Sequence, residues 1–208
     1  MTDRPSAPHQ PMFNLPPMTR ALLVANLVVF AVMWLLPDDA ADTVVALLGF
    51  TPARYGAAGV ALWPAIVDPV SYQFIHGGFA HIGANMLGLL AFGAGVEQRL
   101  GRWRFLAFYL LCGVAGAFTE YAAGPGSAEV MIGASAAISG LFGAILRFRA
   151  FRRGFWLLVV LWFLINAVTG VVGVGSEVEP VAWVAHIGGF IAGLLLYPLF
   201  VRREFAGQ

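Results

Sequence analysis

The sequence predicts an all-α membrane protein built as a bundle of six transmembrane helices, and three observations predict it. Only 11% of its 208 residues are charged and 60% are hydrophobic, with a mean hydropathy of +0.80; an ordinary soluble domain carries about 25% charged residues. Six stretches free of Asp, Glu, Lys and Arg approach the ~20 apolar residues that a helix needs to cross the hydrocarbon core. Eleven of the twelve arginines fall on one side of those stretches, and the chain has no lysine. The positive-inside rule makes that side cytoplasmic and puts both termini there.

The same numbers exclude other classes. Disordered chains are charge-rich and poor in aromatics, the reverse of this one. The single cysteine, Cys112, forms no internal disulfide and no four-cysteine metal cage. A net charge of +1 without a clustered basic surface gives no reason to expect nucleic acid.

The elements follow in order. Residues 1–19 read as a flexible cytoplasmic tail, since the first twenty residues hold five prolines and no apolar run of the kind a signal peptide needs. The first span runs from Ala21 to Pro37. A long apolar outer loop follows over about 37–71, with segments too short to span and suited to an interfacial or re-entrant element beside the helices. Further spans run over Pro69–Val96, Phe105–Thr119 (continuing to about Ala123), Val130–Leu146, Gly154–Ser176 and Pro180–Val201. The membrane domain thus covers 20–203, leaving 204–208 as a C-terminal tail. Arginines lie before the first span, between the second and third, between the fourth and fifth, and after the sixth. Arg54 alone lies in the outer loop.

Ionisable groups inside a bilayer are costly and mark function by default. His76, His81 and His186 sit in or at the edge of spans, whereas His9 lies in the tail. Asn85 shares the second span, and Ser135 and Ser139 the fourth. Counted up from the arginine boundaries at 1.5 Å per residue, Ser135 lies roughly 18 Å above Arg147, His186 roughly 24 Å above Arg202 and Asn85 roughly 21 Å above Arg99. Three helices therefore bring polar residues to similar heights in the outer half of the membrane. His81 and Asn85, four apart, share a face; His76 and His81, five apart, are expected to point in different directions. Ser135, Ser139 and Gly143 line one face of the fourth span, and His186, Gly189 and Gly193 one face of the sixth. Small residues let membrane helices approach closely. A serine among glycines or a GxxxG spacing ordinarily means packing alone, and Cys112 reads as a small buried hydrophobe. The coincidence of serine, histidines and asparagine at one depth is what points to chemistry.

A serine hydroxyl becomes a nucleophile when a base accepts its proton, and His186 is the candidate base for Ser135. Donors for a developing oxyanion are available from Asn85, His81 and the Ser135 backbone N–H. Glu177 and Glu179 are too far along the chain to serve His186, so a dyad is expected, with no carboxylate at its depth. A zinc protease would need His-Glu-x-x-His, and no histidine here is followed by glutamate. No pair of carboxylates lies within the spans for an aspartyl mechanism, and no internal repeat suggests a transporter.

These residues resemble the rhomboid family of intramembrane serine proteases. The matching text is His76-Gly-Gly-Phe-Ala-His81-Ile-Gly-Ala-Asn85-Met86, then Glu97-Gln-Arg-Leu-Gly101-Arg-Trp-Arg104, then Gly133-Ala-Ser135 with Ala136-Ala-Ile-Ser139-Gly140, and last Ala185-His186-Ile-Gly-Gly189-Phe-Ile-Ala-Gly193. The resemblance covers about Arg20 to Val201 and implies a six-helix rhomboid-like bundle. It implies a Ser135 nucleophile and a His186 base, with an oxyanion hole from His81, Asn85 and the Ser135 amide. Supporting places fall to His76, Gly133, Ser139, Gly189 and Gly193. It implies no cofactor or metal. The implied substrates are single-span membrane proteins cut near the outer end of their helix, and the lipid bilayer is the other partner. A short chain without a targeting segment suits the bacterial cytoplasmic membrane. Two positions depart from the family: Ala136 stands where glycine usually follows the serine, and Ser139 where an aromatic often stacks on the histidine. A non-catalytic rhomboid-like protein that binds membrane clients is the alternative, and a small-molecule transporter a more remote one.

Overall fold

The structure, a computed structural model, describes residues 15–56, 61–149, 156, 157, 159–162, 164, 183–202 and 204. Residues 1–14 of the tail with His9, Arg152 and Arg153, the greater part of the fifth expected span, Glu177 and Glu179, and the residues after 204 lie outside that set, whereas the last three tail residues, Pro17 to Thr19, belong to the first helix. Among the described residues the regular structure is helical, with one isolated antiparallel bridge between Phe50 and Met131.

Helix α1 (Pro17–Leu35) starts on a Pro-Pro pair, which suits a first turn whose N–H groups have no intrahelical partner. Those orphan donors are met from another helix. Glu97 accepts hydrogen bonds from the Met18 N–H at 2.9 Å, the Thr19 N–H at 2.6 Å and the Thr19 hydroxyl at 2.7 Å. A buried carboxylate is thereby satisfied and placed at the positive end of the α1 dipole. Two short helices follow, α2 (Asp38–Leu48) and α3 (Leu62–Ser71), with 3-10 turns at Pro52–Tyr55 and Tyr72–Phe74. The long helices α4 (Phe79–Leu100) and α5 (Arg102–Ala123) are divided only by Gly101, whose φ of +79° lies where glycine is favoured. Helix α6 is Ser135–Arg149 and α7 is Trp183–Phe200.

Two expected spans begin later than their apolar stretches do. The second starts at Phe79 instead of Pro69, because residues from Pro69 to Ser71 complete α3 and the His76-Gly77-Gly78 segment interrupts the chain. The fourth starts at Ser135 instead of Val130, because the residues before it are extended and paired with Phe50. Apolarity marks what the bilayer and core accept, not where a helix begins. Helices α1, α4, α5 and α7 are long and apolar enough to cross a membrane, while α6 is shorter. In the fifth expected span, helical residues between 156 and 164 pack through Trp162, which stacks on Phe190 of α7 with ring centroids 4.9 Å apart.

The short α6 runs through the middle of the bundle. Ala136, Ala137, Leu141 and Ala144 are buried, and α5, α7 and α4 surround it. Its contact with α7 is backbone on backbone. A Cβ added to Gly189 would overlap the Ala136 carbonyl, one on Gly193 the Gly140 carbonyl, and one on Gly143 the Phe190 carbonyl. Gly140 leaves room for Cys112 of α5, itself buried as a small hydrophobe. Away from this centre large apolar side chains face outward, among them Leu35, Leu87, Leu195 and Leu199. That pattern fits a chain whose surrounding solvent is hydrocarbon.

The loop over 37–71 is a folded layer. Arg54 holds it together, donating to the Asp68 carboxylate at 2.8 Å and to the Gly49 and Ala46 carbonyls. Ser71 donates to the Leu48 carbonyl at 2.6 Å, and the Tyr55 hydroxyl to the Pro64 carbonyl at 3.0 Å. Burial, together with the nearby Asp68 charge, pushes the Tyr55 phenol up to about 12. Burial also raises the Asp68 carboxyl, against the opposing pull of Arg54.

Two expected outcomes follow from this packing. Gly193→Leu should prevent α7 from seating on α6, and the detergent-solubilised protein should lose its cooperative thermal transition; a melting temperature equal to wild type would contradict the backbone contact. The neutral Tyr55 phenol is favoured in the folded state, so its stabilising contribution is fully present below pH 10 and is lost as pH rises through about 12. The alkaline fall in stability should therefore be shallower in Tyr55→Phe than in wild type.

Candidate active site

Ser135 is the first residue of α6, so the N–H groups around it belong to a helix N-terminus with no intrahelical partners. Such a terminus carries partial positive charge and favours an anion beside it. The chain reaches this point in a controlled way. Phe50 and Met131 exchange backbone hydrogen bonds of 3.0 and 2.8 Å, the Ala53 N–H donates to the Ser127 carbonyl at 2.8 Å, and the Gly133 N–H donates to the Tyr72 carbonyl at 2.9 Å. The layer over 37–71, with Tyr72 just after it, therefore fixes the segment that delivers the serine.

His186 lies in the first turn of α7. Its Nε2 is 2.7 Å from the Ser135 hydroxyl oxygen, and both residues are half-buried. The glycine contact between α6 and α7, below the pair, sets the helix separation that allows this bond. On the other side of Ser135, His81 approaches Gly133: a Cβ there would lie 2.5 Å from His81 Nε2. Gly133 also has a φ of +112°, so glycine is required twice over. The Gly77 N–H donates to His81 Nδ1 at 3.5 Å. An Nδ1 that accepts leaves the proton of a neutral imidazole on Nε2, the atom facing the Ser135 loop.

Asn85 is buried one turn further along α4 on the His81 face. Its Nδ2 donates to the His81 carbonyl at 2.9 Å, and its Oδ1 has no hydrogen-bond partner among the described residues. His76 precedes α4 instead of lying on it, and its ring meets His81 edge-on with centroids 5.1 Å apart. The expected divergence of the two histidines is therefore corrected: the bend at Gly77-Gly78 turns His76 back onto His81. His76 Nδ1–H donates to the Phe74 carbonyl at 3.4 Å, which makes it a brace for the His81 ring. Ser139 is buried one turn below Ser135. Gly189 and Gly193 serve as the α6–α7 contact described above.

The departure at Ala136 has a structural counterpart. Its methyl group faces Gly116 of α5, where a Cβ would lie 2.6 Å away. The extra carbon at 136 is thus accommodated by its absence at 116.

Glu120 is the residue that sequence reasoning missed. No carboxylate was expected at the depth of His186, yet Glu120 Oε2 accepts the Ala185 N–H at 3.0 Å, one residue from the imidazole. It caps the α7 terminus across the interface and so holds the backbone that carries His186. The available signal was its position at the end of the third span, opposite a helix start. Among the described residues no group of three or more His, Cys, Asp or Glu is arranged to hold a metal ion.

The fold and this cluster define a helical integral membrane protein, and comparison with known proteins places it. The Rhomboid domain family matches residues 62–203. The chain is similar to YdcA of Bacillus subtilis, with 31% identity over 176 residues, covering 84% of this chain and 85% of YdcA. It is also 32% identical over 131 residues to the rhomboid protease GluP of the same organism, covering 63% of this chain and 25% of GluP. RHOMBOID-like protein 5 of Arabidopsis thaliana is 32% identical over 142 residues, 65% of this chain and 45% of the plant protein. The chain thus spans less than half the length of the last two. It belongs to the rhomboid family.

The Glu120 contact is directly testable. Glu120→Ala should cost about 1 kcal/mol through loss of the α7 cap, whereas Glu120→Gln, which keeps a carbonyl acceptor, should cost less. Equal melting temperatures for wild type and Glu120→Ala would show that Glu120 does not stabilise the α7 terminus.

Proposed function

We propose that this protein is an intramembrane serine endopeptidase that cleaves transmembrane segments by a Ser135–His186 dyad. The observation that carries the reading is the 2.7 Å approach of His186 Nε2 to the Ser135 hydroxyl at two apposed helix starts. The Ser135 hydroxyl gives its proton to His186 Nε2 while its oxygen bonds to the scissile carbonyl carbon. Negative charge develops on the carbonyl oxygen, where the Ser135 N–H, the His81 Nε2–H and the Asn85 amide stand as donors. Collapse of the tetrahedral adduct breaks the C–N bond, and the departing amine takes the proton from His186. Water then attacks the Ser135 ester while giving one proton to His186; the carbonyl carbon–Oγ bond breaks, His186 returns that proton to the Ser135 oxygen, and the acid product leaves.

The residue pairing supports a dyad. Glu120 contacts the backbone before His186, so its part is to position the helix. His76 braces His81, and Gly133 admits it. The proposed frame is six spans with both termini cytoplasmic, a membrane domain over 20–203, and short tails at 1–19 and 204–208. Substrates in this reading are single-span membrane proteins cut near the outer face, and the host membrane is the bacterial cytoplasmic one. The protease names of its relatives, and the presence here of both serine and histidine, favour this reading over a non-catalytic client-binding role.

Ser135→Ala and His186→Ala should each abolish cleavage of a transmembrane reporter by the purified, reconstituted protein, and each should abolish labelling by a fluorophosphonate. His81→Ala or Asn85→Ala should lower kcat by about 10²–10³-fold, the cost of one oxyanion donor, with fluorophosphonate-reactive protein still folded. Normal cleavage by Ser135→Ala would overturn the assignment.

A further inference from the structure

The end of the bundle opposite Ser135 carries a second cluster of charge. Glu120 and Arg102 stand near the two ends of α5, roughly 27 Å apart at 1.5 Å per residue. At the Arg102 end, the α4–α5 corner and the end of α7 enclose an open cavity of about 700 Å³, lined by Gly101, Arg102, Trp103, Arg104, Arg202 and Glu204. Three arginines and one glutamate line it, an excess of two positive charges. Glu204 meets Arg202 through an exposed pair at 3.2 Å. Exposed pairs of this kind are worth little, so the pair does not close the site to another anion.

Two of the arginines are held in place by the fold. Arg202 donates its backbone N–H to the Arg99 carbonyl at 3.1 Å, and its guanidinium lies against Gly101, where a Cβ would stand 3.1 Å from Nε. With φ at +79°, Gly101 is what lets the guanidinium approach the corner. The Arg102 guanidinium sits over the Trp103 ring at 4.8 Å. Trp103 itself is 63% exposed, as is usual for an indole at the membrane–water boundary. The Trp103 ring therefore gives the cavity wall an exposed apolar surface, and Leu199, three residues before Arg202 on the same end of α7, is exposed as well.

We propose that this cavity binds the phosphate of an anionic phospholipid, with the arginines taking the headgroup and the exposed Leu199 surface taking an acyl chain. Arginine presents its N–H groups in a fork that matches phosphate oxygens. Free phosphate shares the chemistry of the headgroup but makes no use of the exposed Trp103 ring in the cavity wall, and that difference favours the lipid. The site is separate from the proposed catalytic pair and does not depend on it.

Quenching of Trp103 tests the proposal. The full-length protein is reconstituted in phosphatidylcholine vesicles containing either brominated phosphatidylglycerol or brominated phosphatidylcholine, and Trp103→Phe is run in parallel to isolate the Trp103 signal. Wild type should bind phosphatidylglycerol in preference to phosphatidylcholine at this tryptophan. Each of Arg104→Gln and Arg202→Gln should lower that preference about fivefold, the effect of one basic residue near an anionic surface, while Arg202→Lys should retain more of it than Arg202→Gln does. Equal quenching by the two lipids in wild type would overturn the proposal. So would full displacement of brominated phosphatidylglycerol by inorganic phosphate, which would assign the site to the free anion. Arg104→Gln keeps the test valid if replacing Arg202 disturbs the corner, and an undiminished preference in folded Arg104→Gln would count against the site.

Discussion

The close approach of α6 and α7 is the constraint on which the rest depends. Gly189 and Gly193 present bare backbone to the carbonyls of Ala136 and Gly140, so the two helices meet with no side chain between them. Within a bilayer, burial of apolar groups adds little to helix association, because lipid is as apolar as the core; packing and hydrogen bonds carry it. Small residues are therefore the means of contact. The same contact sets the separation at the helix starts, where Ser135 and His186 hydrogen-bond. Stability and geometry of the site share one cause.

The layer over 37–71 supplies the second condition. Its helices are too short to span, and they are linked by Arg54 to Asp68 and to backbone carbonyls. Through Phe50 and Tyr72 this layer reaches the extended segment before Ser135 and holds it by backbone hydrogen bonds. A serine held at a helix start needs such a guide, because the terminus would otherwise fray. Carboxylates do related work elsewhere: buried Glu97 closes the start of α1, and half-buried Glu120 that of α7. In both cases an acidic side chain from one helix satisfies the orphan N–H groups of another. These are acidic residues within a membrane bundle whose purpose is structural.

The match at the site between sequence and structure was uneven for physical reasons. His81 and Asn85 were placed together by a spacing of four, because α-helical periodicity is local. His76 was misplaced, because a Gly-Gly bend reverses what helical phase implies. The start of the fourth span was placed too early, since an apolar extended segment and an apolar helix look alike in composition. Glu120 was passed over because the helix terminus it caps lies 65 positions away in the chain.

What the sequence determined by itself was the kind of protein. Its low charge requires a bilayer, its arginine asymmetry gives an expected orientation, and its scattered histidines, serine and glycines nominate a site. These features depend on composition and on local repeat, which a linear chain displays. The tertiary structure decided the rest: that Ser135 opens a helix, that His186 faces it, that the methyl of Ala136 fits over Gly116, and that two arginines from the middle of the chain and one near its C-terminus share one cavity. All but the first are contacts between residues apart in sequence, and the first depends on the backbone bonds that Phe50 and Tyr72 make to the segment before Ser135. Their distances are set by how closely whole helices pack, a quantity that no local pattern carries.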